Sequence, residues 1–103
     1  MIKIFTSFLI LLALSSLAYA DSGKKVFETY CWGCHHQTAV AFGPSFADIA
    51  SKRTAEEIQA MITDPASISK VFAYKRNAMP AFNLTPDELK EITDYILSYK
   101  ESK

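Results

Sequence analysis

A chain of 103 residues, half of them apolar, has room for one domain, and its eleven basic and eleven acidic side chains cancel to a formal charge of zero. That balance excludes the basic footprint a nucleic-acid binder needs, so nucleic acid is not an expected partner. Two cysteines permit one disulfide at most.

Residues 1–20, MIKIFTSFLILLALSSLAYA, place Lys3 before an apolar run from Ile4 to Leu17 and close on Ala18-Tyr19-Ala20. The pattern predicts a secretory signal peptide cleaved after Ala20. A membrane span needs roughly 20 predominantly apolar residues, and this run is shorter, so no stable membrane insertion is expected after cleavage. The expected mature chain, residues 21–103, is a single domain with a formal charge of about −1, exported across the inner membrane to the periplasm. An oxidising compartment leaves two nearby thiols oxidised or occupied. So small a domain buries only about 60% of its unfolded surface, so a disulfide, metal or cofactor is expected to complete its core.

Along the mature chain, Asp21 or Ser22 can cap a first helix that presents Val26, Phe27 and Tyr30 on one face and runs into CWGCHH, residues 31–36. Thr38 to Ser45 reads as a loop turning at Gly43-Pro44, and SFADIASK as a short helix carrying Phe46, Ile49 and Ala50. Thr54 and Glu57 have capping-box spacing ahead of the stripe Ile58, Met61 and Ile62, and Pro65 is expected to stop that helix. From Pro65 to Leu84 the periodicity fades, which predicts a long ordered loop anchored by Phe72, Tyr74 and Phe82. Thr85, Pro86 and Glu88 open a final amphipathic helix with Leu89, Ile92, Tyr95, Ile96 and Tyr99 on its apolar face. With no strand pair, repeat or phosphate loop, the fold class is all-α, with about three principal helices and one or two short ones.

The cysteines and histidines of residues 31–36 admit three chemistries. Thiol redox motifs open a helix after a strand, and no strand precedes Cys31. A closed zinc site wants four ligands, usually as two separated pairs, and there is no second pair. Cys31, Cys34 and His35 form C-x-x-C-H, the attachment motif of haem c. Its spacing is physical: positions i, i+3 and i+4 share a helical face, so two sulfurs can bond one porphyrin while the histidine lies beneath its iron. Haem c held by Cys31 and Cys34 is the favoured reading, with His35 as one axial ligand.

For the opposite axial position the candidates are His36, Met61 and Met79. His36 adjoins the proximal ligand and cannot reach the far face. Met61 belongs to a helix stripe, where methionine is usually core filler. Met79 precedes Pro80, which restricts it to extended backbone and stiffens its loop; it is the favoured ligand, an open iron site being the alternative.

The ordered set of Cys31 to His35, Gly43-Pro44, Met79-Pro80 and a final amphipathic helix over Thr85 to Lys100 resembles the class I (monohaem, His/Met) c-type cytochromes over nearly the whole mature chain. The resemblance implies a small cytochrome c fold in which the first and last helices cross, here through Gly23 with Phe27 and Ile92 with Tyr95. It implies that the Pro44 carbonyl accepts a hydrogen bond from the His35 ring. A tryptophan that contacts a haem propionate in many relatives has no counterpart after Met61, which leaves Arg53, Lys75 and Arg76 as candidate propionate partners and Asn77 as a candidate donor to the Met79 sulfur. The implied activity is one-electron transfer with no substrate bond made or broken, inside an apolar shell of Phe27, Tyr30, Phe42, Phe46, Ile49, Ile58, Ile62, Phe82 and Ile96. The chain is then expected to be an electron carrier rather than an enzyme, exchanging electrons with a respiratory donor and acceptor, toward which Lys70, Lys75 and Arg76 could steer docking. Two alternatives stand: a haem subunit of a periplasmic oxidoreductase, for example a sulfite dehydrogenase, favoured by an exposed apolar surface at Trp32, Val40 and Phe42; and a ligand-binding haem sensor, favoured if Met79 does not bind iron.

Overall fold

The computed structural model describes residues 22–100. The expected signal peptide, its cleavage site and Asp21 lie outside the described residues. Within them the chain is all-helical: α1 (residues 22–31, whose last turn Phe27–Cys31 is π-helical), α2 (Phe46–Lys52), α3 (Ala55–Thr63), α4 (Pro65–Val71) and α5 (Pro86–Leu97). No strand occurs among the described residues, and none of their helices is long and apolar enough to cross a membrane.

The helix starts follow from local chemistry. Ser45 accepts a hydrogen bond from the Asp48 N–H at the head of α2. Thr54 with Glu57, and Thr85 with Glu88, form reciprocal capping boxes at α3 and α5, and Pro86 opens α5 where a missing N–H costs nothing. α5 ends at Leu97, short of the expected Lys100, with Ser98 as its C-cap.

Two expectations are corrected. Ser22 is already helical rather than a cap, and α1 widens before the cysteine motif, so that the Trp32 N–H bonds to the Phe27 carbonyl at 2.9 Å. α3 does stop before Pro65, as expected, but the twenty-residue loop after it does not exist as such, because Pro65 is also the first residue of α4. Asp64 serves both helices, as C-cap of α3 and as the N-cap whose carboxylate accepts from the Ser67 N–H. A proline preceded by aspartate is a helix start as readily as a stop. α4 closes with paired hydrogen bonds, Ala73 N–H to the Lys70 carbonyl and Tyr74 N–H to the Ser69 carbonyl, with Ala73 left-handed at φ 60°. This is a Schellman stop, made by alanine in a position that favours glycine.

The core gathers Val26 and Phe27 of α1, Phe46 of α2, Ile58 and Ile62 of α3, and Ile92 and Ile96 of α5. Its tightest point is the crossing of α1 and α5. A Cβ on Gly23 would stand 2.7 Å from both the Glu91 carbonyl oxygen and the Tyr95 Cβ, so the two backbones touch there only because residue 23 has no side chain. One turn on, Phe27 packs against Tyr95 with ring centroids 5.7 Å apart, and Ile92 is fully buried. Beneath them Thr93, also buried, satisfies its hydroxyl on the Leu89 carbonyl.

Candidate functional site

Between this core and the chain segment 72–80 lies a cleft of about 420 Å³. Volume of that order is typical of cofactor sites. Cys31, Cys34, His35, Pro44 and Met79, the five residues singled out by sequence, all line it. So do Tyr30, Phe42, Phe46, Ile49, Ile58, Ile62, Phe82 and Ile96 from the expected apolar shell. Phe27 does not: it sits behind Phe46, edge-on at 5.1 Å, as part of the core.

The motif side of the cleft is built by backbone. After Cys31 one helical turn persists, with the His35 N–H bonding to the Cys31 carbonyl at 3.0 Å, which brings the histidine round beside both sulfurs. The following loop is cinched by Gly43 N–H to the Cys34 carbonyl at 2.6 Å and by Phe46 and Ala47 N–H groups to the carbonyls of His36 and Gln37. That closure sets the Pro44 carbonyl 2.7 Å from His35 Nδ1. A carbonyl can only accept, so Nδ1 carries the proton and Nε2 keeps its lone pair. The ring is held flat by Phe46, stacked at 5.6 Å, and by Gly43, whose hypothetical Cβ would lie 2.5 Å from His35 Cε1. His36 points elsewhere and is exposed, its Nδ1 accepting from the Thr38 and Ala39 N–H groups. Burial pushes the Cys31 thiol up to about 11, with the charge of Cys34 adding to it, so Cys31 holds its proton on sulfur at neutral pH.

Across the cleft, Met79 is half-buried against the core. The chain around it is fixed by the Phe82 N–H on the Ile62 carbonyl at 3.0 Å and by the Phe82 ring against Tyr30. Met61 also reaches the cleft, so its helix stripe faces the site rather than the core alone.

Of the three cationic candidates, Arg53 and Arg76 line the cleft and Lys75 does not. Arg53 lies flat on Phe72, 3.5 Å from the ring centroid, and donates from Nη2 to the Tyr74 hydroxyl at 3.1 Å. Phe72, Tyr74 and Glu57, which sequence reading used as a loop anchor, a second anchor and a helix cap, are therefore also cleft residues. The signal for the first two was the Asp64-Pro65 helix start, which brings the turn after α4 back over α2.

These residues suit a haem. Two cysteines, an imidazole with a free lone pair and a thioether share one carbon-walled cleft, and the missing side chain at Gly43 makes room for the imidazole. A zinc site is not assembled, since no three His, Cys, Asp or Glu side chains converge among the described residues.

The family model for cytochrome c matches residues 20–100, and the chain belongs to that family. No curated protein matches it. Among solved structures, the chain is similar to a cytochrome c from Rhodothermus marinus, 23% identical, with a TM-score of 0.67 over 81% of this chain and 78% of the other. It is equally similar in fold to an engineered Rhodothermus marinus cytochrome c bound to a carbene intermediate, 24% identical, with a TM-score of 0.67 over 84% of this chain and 80% of that one.

Proposed function

We propose that this member of the cytochrome c family is a periplasmic one-electron carrier whose haem c is bonded to Cys31 and Cys34 and ligated by His35 and Met79. The observation that carries the reading is the hydrogen bond from His35 Nδ1 to the Pro44 carbonyl beside both cysteines, in a cleft that Met79 shares. When bound, haem c supplies one-electron exchange between ferric and ferrous iron.

The chain's part in that chemistry is to bind, orient and dry. Cys31 and Cys34 would hold the ring covalently. The Pro44 carbonyl keeps the proton on Nδ1 and so presents Nε2 as a ligand in a fixed direction. Met79 supplies a neutral sulfur, which favours the reduced state over the oxidised one. Phe46, Ile49, Ile58, Ile62 and Ile96 exclude water, and a dry surround also favours the state of lower charge. No side chain is asked to move a proton or attack a substrate, so no enzymatic step is assigned. The carbene belongs to the engineered neighbour.

Export rests on the expected signal peptide at residues 1–20, and N-terminal sequencing of the protein recovered from the periplasm should begin at Asp21. The visible spectrum of that protein tests the rest. Denaturing conditions should show haem that stays with the chain, and the native ferric protein should show a sulfur-to-iron charge-transfer band that disappears in Met79→Ala. A native protein without the band that binds carbon monoxide readily would instead support the sensor reading.

One observation favours a second reading, the haem subunit of a larger periplasmic oxidoreductase such as a sulfite dehydrogenase. Trp32, Val40 and Phe42 are 70, 84 and 79% exposed beside the motif, and residues 29–47 carry no Asp, Glu, Lys or Arg. A free carrier should leave its native host as a monomer; a subunit should co-purify with its oxidoreductase.

A further inference from the structure

Among the described residues, one ring pair spans the cleft from the motif side to the Met79 side: Tyr30 meets Phe82 edge-on, with centroids 5.9 Å apart and planes at 65°. Each partner is held by its own backbone. Phe82 is anchored to α3 through its N–H on the Ile62 carbonyl at 3.0 Å. Tyr30 directly precedes Cys31, and the wide last turn of α1 aims it. In a regular helix Tyr30 would share a face with Val26, four residues earlier, and Val26 belongs to the core. The extra backbone step, marked by the Trp32 N–H on the Phe27 carbonyl, turns Tyr30 off that face and onto the cleft wall, where it stays 41% exposed. Thr29 supports the step by donating its hydroxyl to the Lys25 carbonyl at 2.7 Å.

We infer that Tyr30 is the latch of the Met79 segment: its ring closes on Phe82, and through Phe82 it holds the Met79 sulfur in the cleft. The inference rests on the reading that Met79 is an axial ligand. Tyr30 acts through Phe82 and is therefore a positioning residue. Met79 lies three residues before Phe82, residues 75–78 are exposed, and among the described residues no backbone hydrogen bond ties the chain from 75 to 81. So sparsely tied a segment opens at lower cost than the fold unfolds, and a single aromatic contact then weighs in its closing. Attachment of the cofactor at Cys31 would reinforce the latch. A covalent bond at the next residue leaves Tyr30 less freedom to lose when it meets Phe82.

The test is an imidazole titration of the exported ferric holoprotein at fixed pH, following loss of the sulfur-to-iron band, beside a urea unfolding curve. Imidazole takes the axial position only when Met79 lets go, so its midpoint concentration reads the opening of this segment. In Tyr30→Ala that concentration should fall about fivefold, the loss of one aromatic pair. Tyr30→Phe keeps the ring and should titrate as wild type. Phe82→Leu should lower the concentration at least as far, and adding Tyr30→Ala to it should open the segment little further, because one contact is broken only once. Additive falls would overturn the latch, since each residue would then act separately. So would an unchanged imidazole midpoint in Tyr30→Ala with only the urea midpoint lowered, since Tyr30 would then be packing for the fold as a whole. If Tyr30→Ala does not accumulate, Tyr30→Leu removes the ring and keeps apolar bulk, and the same outcomes decide. Failure of the ligation reading is told apart beforehand, by a wild-type protein that lacks the band. The latch is then read from hydrogen exchange at the Phe82 amide, which should quicken in Tyr30→Ala whatever ligates the iron; an unchanged rate overturns it.

Discussion

The two sides of the cleft are built on different terms. On the His35 side, residues 34–47 are tied by backbone hydrogen bonds at Gly43, Phe46 and Ala47, the imidazole is bonded through Nδ1, and Phe46 stacks upon it. On the Met79 side, from residue 75 to residue 84, the backbone hydrogen bond of Phe82 to Ile62 is the one such tie, and residues 75–78 are exposed. The imidazole is therefore positioned by the chain itself, whereas the thioether is positioned by its neighbours: the α4 stop on one flank, Phe82 on the other, and whatever fills the cleft between. The proposed ligation, a strong imidazole and a weaker thioether, would ask for that difference, and local stability follows the density of such ties.

The comparison breaks most visibly at Gly43. A methyl group there meets His35 Cε1 at 2.5 Å and Nδ1 at 2.9 Å, and the ring cannot retreat because Pro44 and Phe46 hold it. Gly43→Ala should cost at least about 2 kcal/mol, as overpacking of a fixed neighbour does, and should lower the denaturant midpoint of the whole protein. Met79→Ala should leave that midpoint much closer to wild type while abolishing the sulfur-to-iron band. Equal losses in the two variants would show that the two sides are equally rigid, contrary to their hydrogen bonding.

A smaller change sharpens the same contrast from the Met79 side. Ala73 sits at φ 60°, where a side chain costs roughly 1–2 kcal/mol. Glycine removes that cost but gains freedom in the unfolded chain worth about 0.5–1 kcal/mol. Ala73→Gly should therefore stabilise by about 0.5 kcal/mol, read as a slightly higher unfolding midpoint, with the potential unchanged. Destabilisation would mean that the turn carrying Phe72 and Tyr74 does not depend on its left-handed residue.

The same contrast governs what could be read in the sequence. On the His35 side, spacing is enough: C-x-x-C-H determines which atoms share a helical turn, and Gly43-Pro44 marks a loop short enough to return to it. Capping boxes likewise located α3 and α5, since Thr54 with Glu57, and Thr85 with Glu88, act across three positions. The Met79 side depends on contacts between segments far apart in the chain. Arg53 meets Tyr74 across twenty-one positions, and nothing local announces it. The π-helical turn before Cys31 was equally silent, because FETYC has no residue that demands an extra backbone step. α4 was hidden for another reason. Its start rests on Asp64 and Pro65, which a one-sided reading of proline takes for an end, and its seven residues are too few to show a period.

The gentlest probe lies at the far end of the aromatic column behind His35. Phe46 stacks on the imidazole and meets Tyr95 edge-on at 6.2 Å, and Tyr95 in turn packs on Tyr99, hydroxyl to hydroxyl at 3.1 Å. Burial, with help from the hydrogen bond to Tyr95 and from its charge, pushes Tyr99 from an ordinary value near 10 up to about 12. The folded protein thus holds this proton more tightly than the unfolded chain does. Between those two values the native state binds more protons, so stability falls as pH rises; the contribution is complete below pH 10 and gone once pH passes about 12. Tyr99→Phe should change stability by no more than about 0.5 kcal/mol at neutral pH, as a half-exposed substitution does, and should flatten the alkaline decline. Because the column ends on the His35 side, the decline in wild type should be a loss of the whole fold rather than of the proposed Met79 ligation alone. Unfolding curves at pH 8, 10 and 11, read beside the sulfur-to-iron band, separate the two: a band that fades while the unfolding midpoint holds would place the alkaline weakness across the cleft, in the chain that depends on its neighbours.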